Sequence, residues 1–265
     1  MIRKPIKKRW TILLGILSVL LLLGSYSLLS YLQHKANPDD TTIPTWRQLS
    51  AGVGKAFKSN ARTGEIWIVE DFKATFFRLF LGLFFGVFGA IISGLLMGCF
   101  KSMESFLVPP LSLLAKIPPT AALAVFFVMV GTGTNMYVVM IAFGVLPILA
   151  QTVYLSVKEV PEELQNKAYT LGASHTEIIW NIIFRFILPK LIDAVRLQIG
   201  PAMVYLIAAE MVCGDVGFGY RIRLQSRLLN MSVVYPYLVM LAAFGFCMDY
   251  SLRLLQKKAC PWYKG

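Results

Sequence analysis

From Trp10 to Leu32 the chain runs without a single charged residue. A segment of about 20 apolar residues is long enough to cross the hydrocarbon core of a bilayer as a helix. Every backbone N–H and C=O must be satisfied internally there, so a lone segment of this kind has only the α-helix open to it. The pattern recurs at Lys73 to Phe100 and at about 106–130, 136–157, 182–211 and 232–252. The expected fold is therefore an all-α membrane protein with about six transmembrane helices. Composition agrees: 57% of the residues are hydrophobic and only 15% charged, against roughly 25% charged in soluble domains.

The net charge of +12 sits beside the apolar blocks, where it sets topology rather than binding nucleic acid. Residues 1–9 carry five basic side chains and read as a cytoplasmic N-terminus, with 10–32 as a retained first transmembrane helix. A cleaved signal peptide would have a shorter apolar part and a small-residue cleavage site. Residues 33–72 read as an external loop with a short helix near "WRQLSAGVGKAF". The basic stretch "RLLQKKACPWYKG" reads as cytoplasmic, ending in the C-terminus at 259–265. On this count 158–181 is cytoplasmic, and Arg221, Arg223 and Arg227 face outside. They are either ordinary surface residues or an anion vestibule. Cys99, Cys213, Cys247 and Cys260 show no CxxC spacing, and His34 and His175 lie far apart, so neither a disulfide framework nor a metal site is expected.

In the second block Gly82, Gly86, Ala90, Gly94 and Gly98 recur every four residues. On a helix they form a smooth stripe for close packing. Arg78 near its end is placed to snorkel to the interface. Pro109, Pro110, Pro118 and Pro119 mark the third block. They fit a broken helix at membrane depth or a plain loop between spans.

The polar stretch "EELQNKAYTLGASHTE" (162–177) interrupts the apolar blocks. Pro161 fits a helix start, and Glu162 and Glu163 suit its first turn. Leu164, Ala168 and Leu171 share a face, and Gly172 stops the helix. Ser174 and Glu177 form an S-x-x-E capping box for a second helix, which continues into the fifth span. A capped hairpin with an apolar face is a docking surface for a partner.

"EELQNKAYTLGAS", "ILP", "RLQIGPAMVYLIAAEM" and "GFGY", with "TFFRLFLG", "KIPPTAALAVFFVMVGTG" and "GVLPILAQT", resemble the permease subunit of ATP-binding cassette (ABC) importers, nearest the nitrate, sulfonate, taurine and bicarbonate subgroup. The resemblance covers roughly residues 70 to 258. It implies a type I ABC importer permease (MetI-like) fold over 73–258, with coupling helices at 161–180 matching the family's EAA loop. Glu163, Asn166, Ala168, Leu171, Gly172 and Ser174 are its expected contacts to the ATPase. Asn166 and Lys167 stand where the family has Glu and Ala. The implied assembly holds two permease copies, as a homodimer, two ABC ATPase subunits that bind ATP and Mg, and an external solute-binding protein, set among lipids in the inner membrane of a bacterium. The chain has no GxxxxGK[ST] loop and no clustered catalytic groups, so no enzyme activity and no cofactor of its own are expected. The alternative is a secondary transporter or channel subunit that needs no ATP.

Candidates for the translocation path are Glu210, Tyr205, Met203, Met211 and Asn135, with Pro118 and Pro119 at the helix break. Glu210 faces a wet path or pairs with Arg78 or Arg196.

Overall fold

The computed structural model describes residues 7–38, 40–58, 64 and 66–263. The helices are α1 (Lys8–Ala36), α2 (Trp46–Phe57), α3 (Trp67–Cys99), α4 (Lys101–Leu114), α5 (Leu123–Val130) and α6 (Thr134–Lys158). They continue with α7 (Glu162–Thr170), α8 (His175–Glu177), a π-helical segment (Ile178–Ile183), α9 (Phe184–Cys213), α10 (Phe218–Arg227) and α11 (Met231–Ala259). The short helix expected near "WRQLSAGVGKAF" is α2, started by a capping box between Thr45 and Gln48.

Four helices among the described residues are long and apolar enough to cross a membrane: α1 from Arg9, α3, α6 and α11. The count of six is thus not met by length and hydropathy alone, for two physical reasons. α9 has the length, 30 residues, but Arg185, Lys190, Asp193 and Arg196 break its apolar run. The third block is divided between α4 and α5. Pro118 and Pro119 provide no N–H for a helical ladder, and each disfavours helix in the residue before it. Pro109 and Pro110 lie inside α4 without ending it. Only Phe100 separates α3 from α4, so these prolines do not belong to a plain loop between spans.

The chain divides into two compact units. The first comprises Met1–Trp67 and Leu224–Leu238. Within it the segment before α2 folds back on α1: the Tyr26 hydroxyl donates to the Pro44 carbonyl at 2.6 Å, and Trp46 Nε1 donates to Ser27 Oγ at 3.0 Å.

The second unit, Ile68–Arg223 with Val239–Gly265, contains the main core. Here the small-residue stripe of α3 lies on α6. A Cβ placed at Gly82 would stand 2.6 Å from Ile141 Cβ, and one at Gly94 or Gly98 would stand 2.5 Å from the Cβ of Val153 or Val157. Ala90, the stripe's one side chain, is fully buried. α9 and α11 are joined by Arg196, which donates to Asp249 at 2.8 and 3.1 Å and to Asp193 at 2.9 Å.

Candidate functional site

The polar hairpin is built as its local chemistry requires. After α7 the backbone closes in a Schellman turn: the Ala173 N–H donates to Ala168 O and the Gly172 N–H to Tyr169 O, both at 3.0 Å. Gly172 takes φ +83°, the left-handed conformation that this turn needs and that a Cβ disfavours. The capping box closes the other side. Ser174 Oγ accepts from the Glu177 N–H at 3.4 Å, and Glu177 Oε2 accepts from the Ser174 N–H at 2.8 Å. The Ser174 N–H and hydroxyl hold the Glu177 carboxyl below its usual pKa.

The hairpin is anchored on one side and open on the other. Ala168, Ala173, Ile178, Ile179, Ile182 and Ile183 pack into the core of the second unit. The helix that starts at His175 passes through the π-segment straight into α9, so the turn and the span form one continuous rod. Ion pairs at its base, Lys158 to Glu104 at 2.6 Å and Lys190 to Glu159, hold α4, α6 and α9 together. Leu171 points away from all of this, 88% exposed. Glu163, Asn166, Gly172 and Ser174 are exposed as well, whereas Ala168 is half-buried. Asn166 lines a cavity of about 790 Å³ with Glu162, Gln165, Tyr169, His175 and Lys158. Across it the Tyr169 hydroxyl is hydrogen-bonded to His175 Nδ1 at 2.8 Å.

At the far end of α3 and α9 the structure gathers a buried ionic network. Glu210 is 0% exposed. It receives Arg78 Nη1 at 2.9 Å, the Thr75 hydroxyl at 3.0 Å and the Gly219 N–H at 2.9 Å. Arg78 also donates to the Val216 carbonyl at 2.8 Å and lies 4.2 Å over the Tyr137 ring. Asp71, equally buried, accepts the Gly217 N–H at 3.0 Å and Arg221 Nε at 2.8 Å. The Phe218 N–H donates to Thr75 Oγ1 at 3.0 Å. Two carboxylates, two guanidiniums and a threonine thus fasten the segment 214–219 and the start of α10 to α3 and α9. Arg78 is held inside and does not snorkel; its side chain is 8% exposed.

Arg221 is committed to Asp71, and Arg223 donates to the carbonyls of Val212 and Gly214, while Arg227 is exposed. Glu210 faces protein on all sides. Met203 packs on Gly245, with Sδ 3.1 Å from where a Cβ would stand. Met211 is half-buried and Asn135 exposed at the start of α6. Pro118, Pro119 and Tyr205, by contrast, come together around one cavity at the α4–α5 break.

Sequence reasoning missed Asp71, which lies just outside the second apolar block, and Thr75. Their signal was present: Asp71, Thr75 and Arg78 are four and three residues apart, a spacing that puts three polar groups on one face of an apolar helix.

The family described as "Binding-protein-dependent transport system inner membrane component" matches residues 78–259. The taurine transport system permease protein TauC of Escherichia coli (strain K12) is 26% identical over 170 residues, 64% of this chain and 62% of that protein. The chain therefore spans less than two thirds of that relative's length. The putative aliphatic sulfonates transport permease protein SsuC of Bacillus subtilis (strain 168) is 24% identical over 261 residues, 98% of this chain and 91% of that protein. Among solved structures, an inward-facing MetNI methionine ABC transporter aligns with a TM-score of 0.63 at 18% identity, covering 73% of this chain and 96% of the matched one. That likeness establishes the fold.

Proposed function

The chain belongs to the family of binding-protein-dependent transport system inner membrane components, and on that premise we propose that it is the permease subunit of an ATP-driven ABC importer for a small anion. In this reading two copies form the translocation path in the inner membrane, with both termini cytoplasmic. Separate ATPase subunits bind ATP and Mg, and an external binding protein delivers the solute. The chain itself hydrolyses nothing. The solute class follows the taurine and sulfonate relatives and the nitrate and bicarbonate subgroup.

The observation that carries the reading is the hairpin. Its exposed tip, Leu171 beside Gly172, is joined through α8 and the π-segment to α9 without an intervening loop. A force applied there by a closing ATPase pair is delivered to the span as a lever. ATP shifts the permease between inward- and outward-facing states only by favouring one of them, here through contact with the hairpin. Glu163, Asn166, Ala168, Leu171, Gly172 and Ser174 form or shape that contact. The Asp71–Arg78–Glu210–Arg221 network sits at the opposite end of the span and keeps the turn after α9 attached as the helices move.

The test is co-purification of the ATPase subunit with the chain, combined with ATP-driven uptake. Leu171→Asp is expected to abolish both while leaving the chain folded in the membrane. Retention of both would remove the hairpin from the mechanism.

A further inference from the structure

The deep charges on α3 and α9 share a feature that Lys116 lacks. Arg78 is paired with Glu210, Arg221 with Asp71, and Arg196 with Asp193 and Asp249. None of the ion pairs among the described residues includes Lys116. Lys116 stands at the α4–α5 break and lines a cavity of about 130 Å³ together with Pro118, Pro119, Gly144, Ile148 and Tyr205.

The depth of that cavity follows from α6. Gly144 lies ten residues from Thr134 and Ile148 ten from Lys158, the two ends of this 25-residue span. At about 1.5 Å per residue each end is roughly 15 Å away, so the cavity sits halfway along a helix long enough to cross the bilayer. Lys116 is exposed in the single chain. A lysine open to lipid at this depth is costly, so such residues face a partner or a wet cavity and mark ion and substrate paths. The break that carries it is of the kind transporters use to line midplane sites. Lipid headgroups do not reach the midplane, so they are not the source of the counter-charge.

We propose that Lys116 is the charged element of an anion-binding site halfway along the translocation path, receiving the carboxylate, sulfonate or nitrate-like group of the solute. Tyr205 completes it. Its hydroxyl has no hydrogen-bond partner among the described residues, and its ring closes against the place where Gly144 has no side chain and against Pro119. The volume, room for about four waters, suits a planar or tetrahedral head group and leaves a longer tail outside. This site rests on the transport reading above and adds to it the group that recognises the charge.

The experiment uses the assembled complex, permease with its ATPase and binding protein, in proteoliposomes, with labelled nitrate, bicarbonate and ethanesulfonate as probes. Lys116→Gln is expected to lower ATP-driven uptake of the transported probe by roughly tenfold or more, the scale of a lost charged hydrogen bond, with ATPase co-purification intact. Lys116→Arg restores uptake. Lys116→His makes it pH-dependent, high below the imidazole pKa of about 6.5 and falling above it, where the wild type is flat. Unchanged uptake by Lys116→Gln overturns this site and leaves the importer reading standing. Loss of assembly in Lys116→Gln and in Lys116→Arg alike also overturns it, since Lys116 then serves packing or a carboxylate of the second copy. A wild-type complex that drives none of the three anions overturns both readings.

Discussion

Replacing Arg78 with methionine is the sharpest perturbation the ionic network offers. The side chain lost is hydrogen-bonded to Glu210 at 2.9 Å and to the Val216 carbonyl at 2.8 Å. Glu210 has no exposure to solvent, so it is left as an uncompensated buried carboxylate. Breaking such a pair costs about 3–5 kcal/mol. The Thr75 hydroxyl and the Gly219 N–H remain on Glu210 and spread part of its charge, which places the expected loss near the lower end, about 3 kcal/mol. Glu210→Gln alone takes away the buried partner of Arg78, which keeps the Val216 carbonyl and, at 3.7 Å, the exposed Asp215 carboxylate. The double variant carries neither charge, and an amide oxygen in place of the Glu210 carboxylate still reaches the Thr75 hydroxyl and the Gly219 N–H. Removing both charges should therefore cost at least about 2 kcal/mol less than the two single losses added. Equilibrium unfolding of the four proteins in mixed micelles, followed by tryptophan fluorescence, measures this directly. A single-variant loss below about 1 kcal/mol, or additivity within about 0.5 kcal/mol, would refute the assignment of the network as the clamp on the turn after α9.

Three further outcomes follow from the same geometry. Gly172→Ala forces a Cβ into φ +83° and should destabilise the hairpin by about 1–2 kcal/mol, seen as faster amide exchange over residues 168–177. Gly94→Val drives methyls into Val153, whose Cβ is already 2.5 Å from the new Cβ; the α3–α6 packing should lose about 1–3 kcal/mol, read as a lower unfolding midpoint. The Glu177 carboxyl is held below its ordinary pKa of 4.5 by the Ser174 N–H and hydroxyl. Its stabilisation of the cap is therefore complete above that ordinary value and lost as pH falls through the lower folded one. The protection of the hairpin amides, their exchange relative to the intrinsic rate at each pH, should fall across that acid range, and Glu177→Gln should abolish the step.

The features legible in the sequence are those set by local chemistry. The Gly172 stop, the Ser174–Glu177 box and the α3 stripe depend on neighbours within one or two turns, and each appears where the residues place it. What depended on distant partners was not legible. Glu210 had two candidate cations, Arg78 and Arg196, and only the packing of α3 beside α9 decides for Arg78, while Arg196 turns to Asp193 and Asp249. The two proline pairs are alike in sequence, yet Pro109–Pro110 ride inside α4 and Pro118–Pro119 lie at the break. The difference is tertiary, because neighbouring helices decide which freed carbonyls are tolerated. Counting spans by hydropathy also fails at α9, where Lys190, Asp193 and Arg196 lower the apolarity although each is held in an ion pair, with Glu159 or within the Asp193–Arg196–Asp249 set. Asp71 reads as a loop residue because a carboxylate at the start of an apolar block looks like a boundary; its partners, Gly217 and Arg221, lie about 150 residues on.

The most direct test of coupled import is uptake of labelled nitrate, bicarbonate and ethanesulfonate into vesicles that hold the permease, its ATPase and its binding protein, with and without ATP. Uptake of one of these anions that requires ATP and all three components is the expected result. Equal uptake without ATP, or by the permease chain alone, would contradict it and identify a secondary transporter or channel.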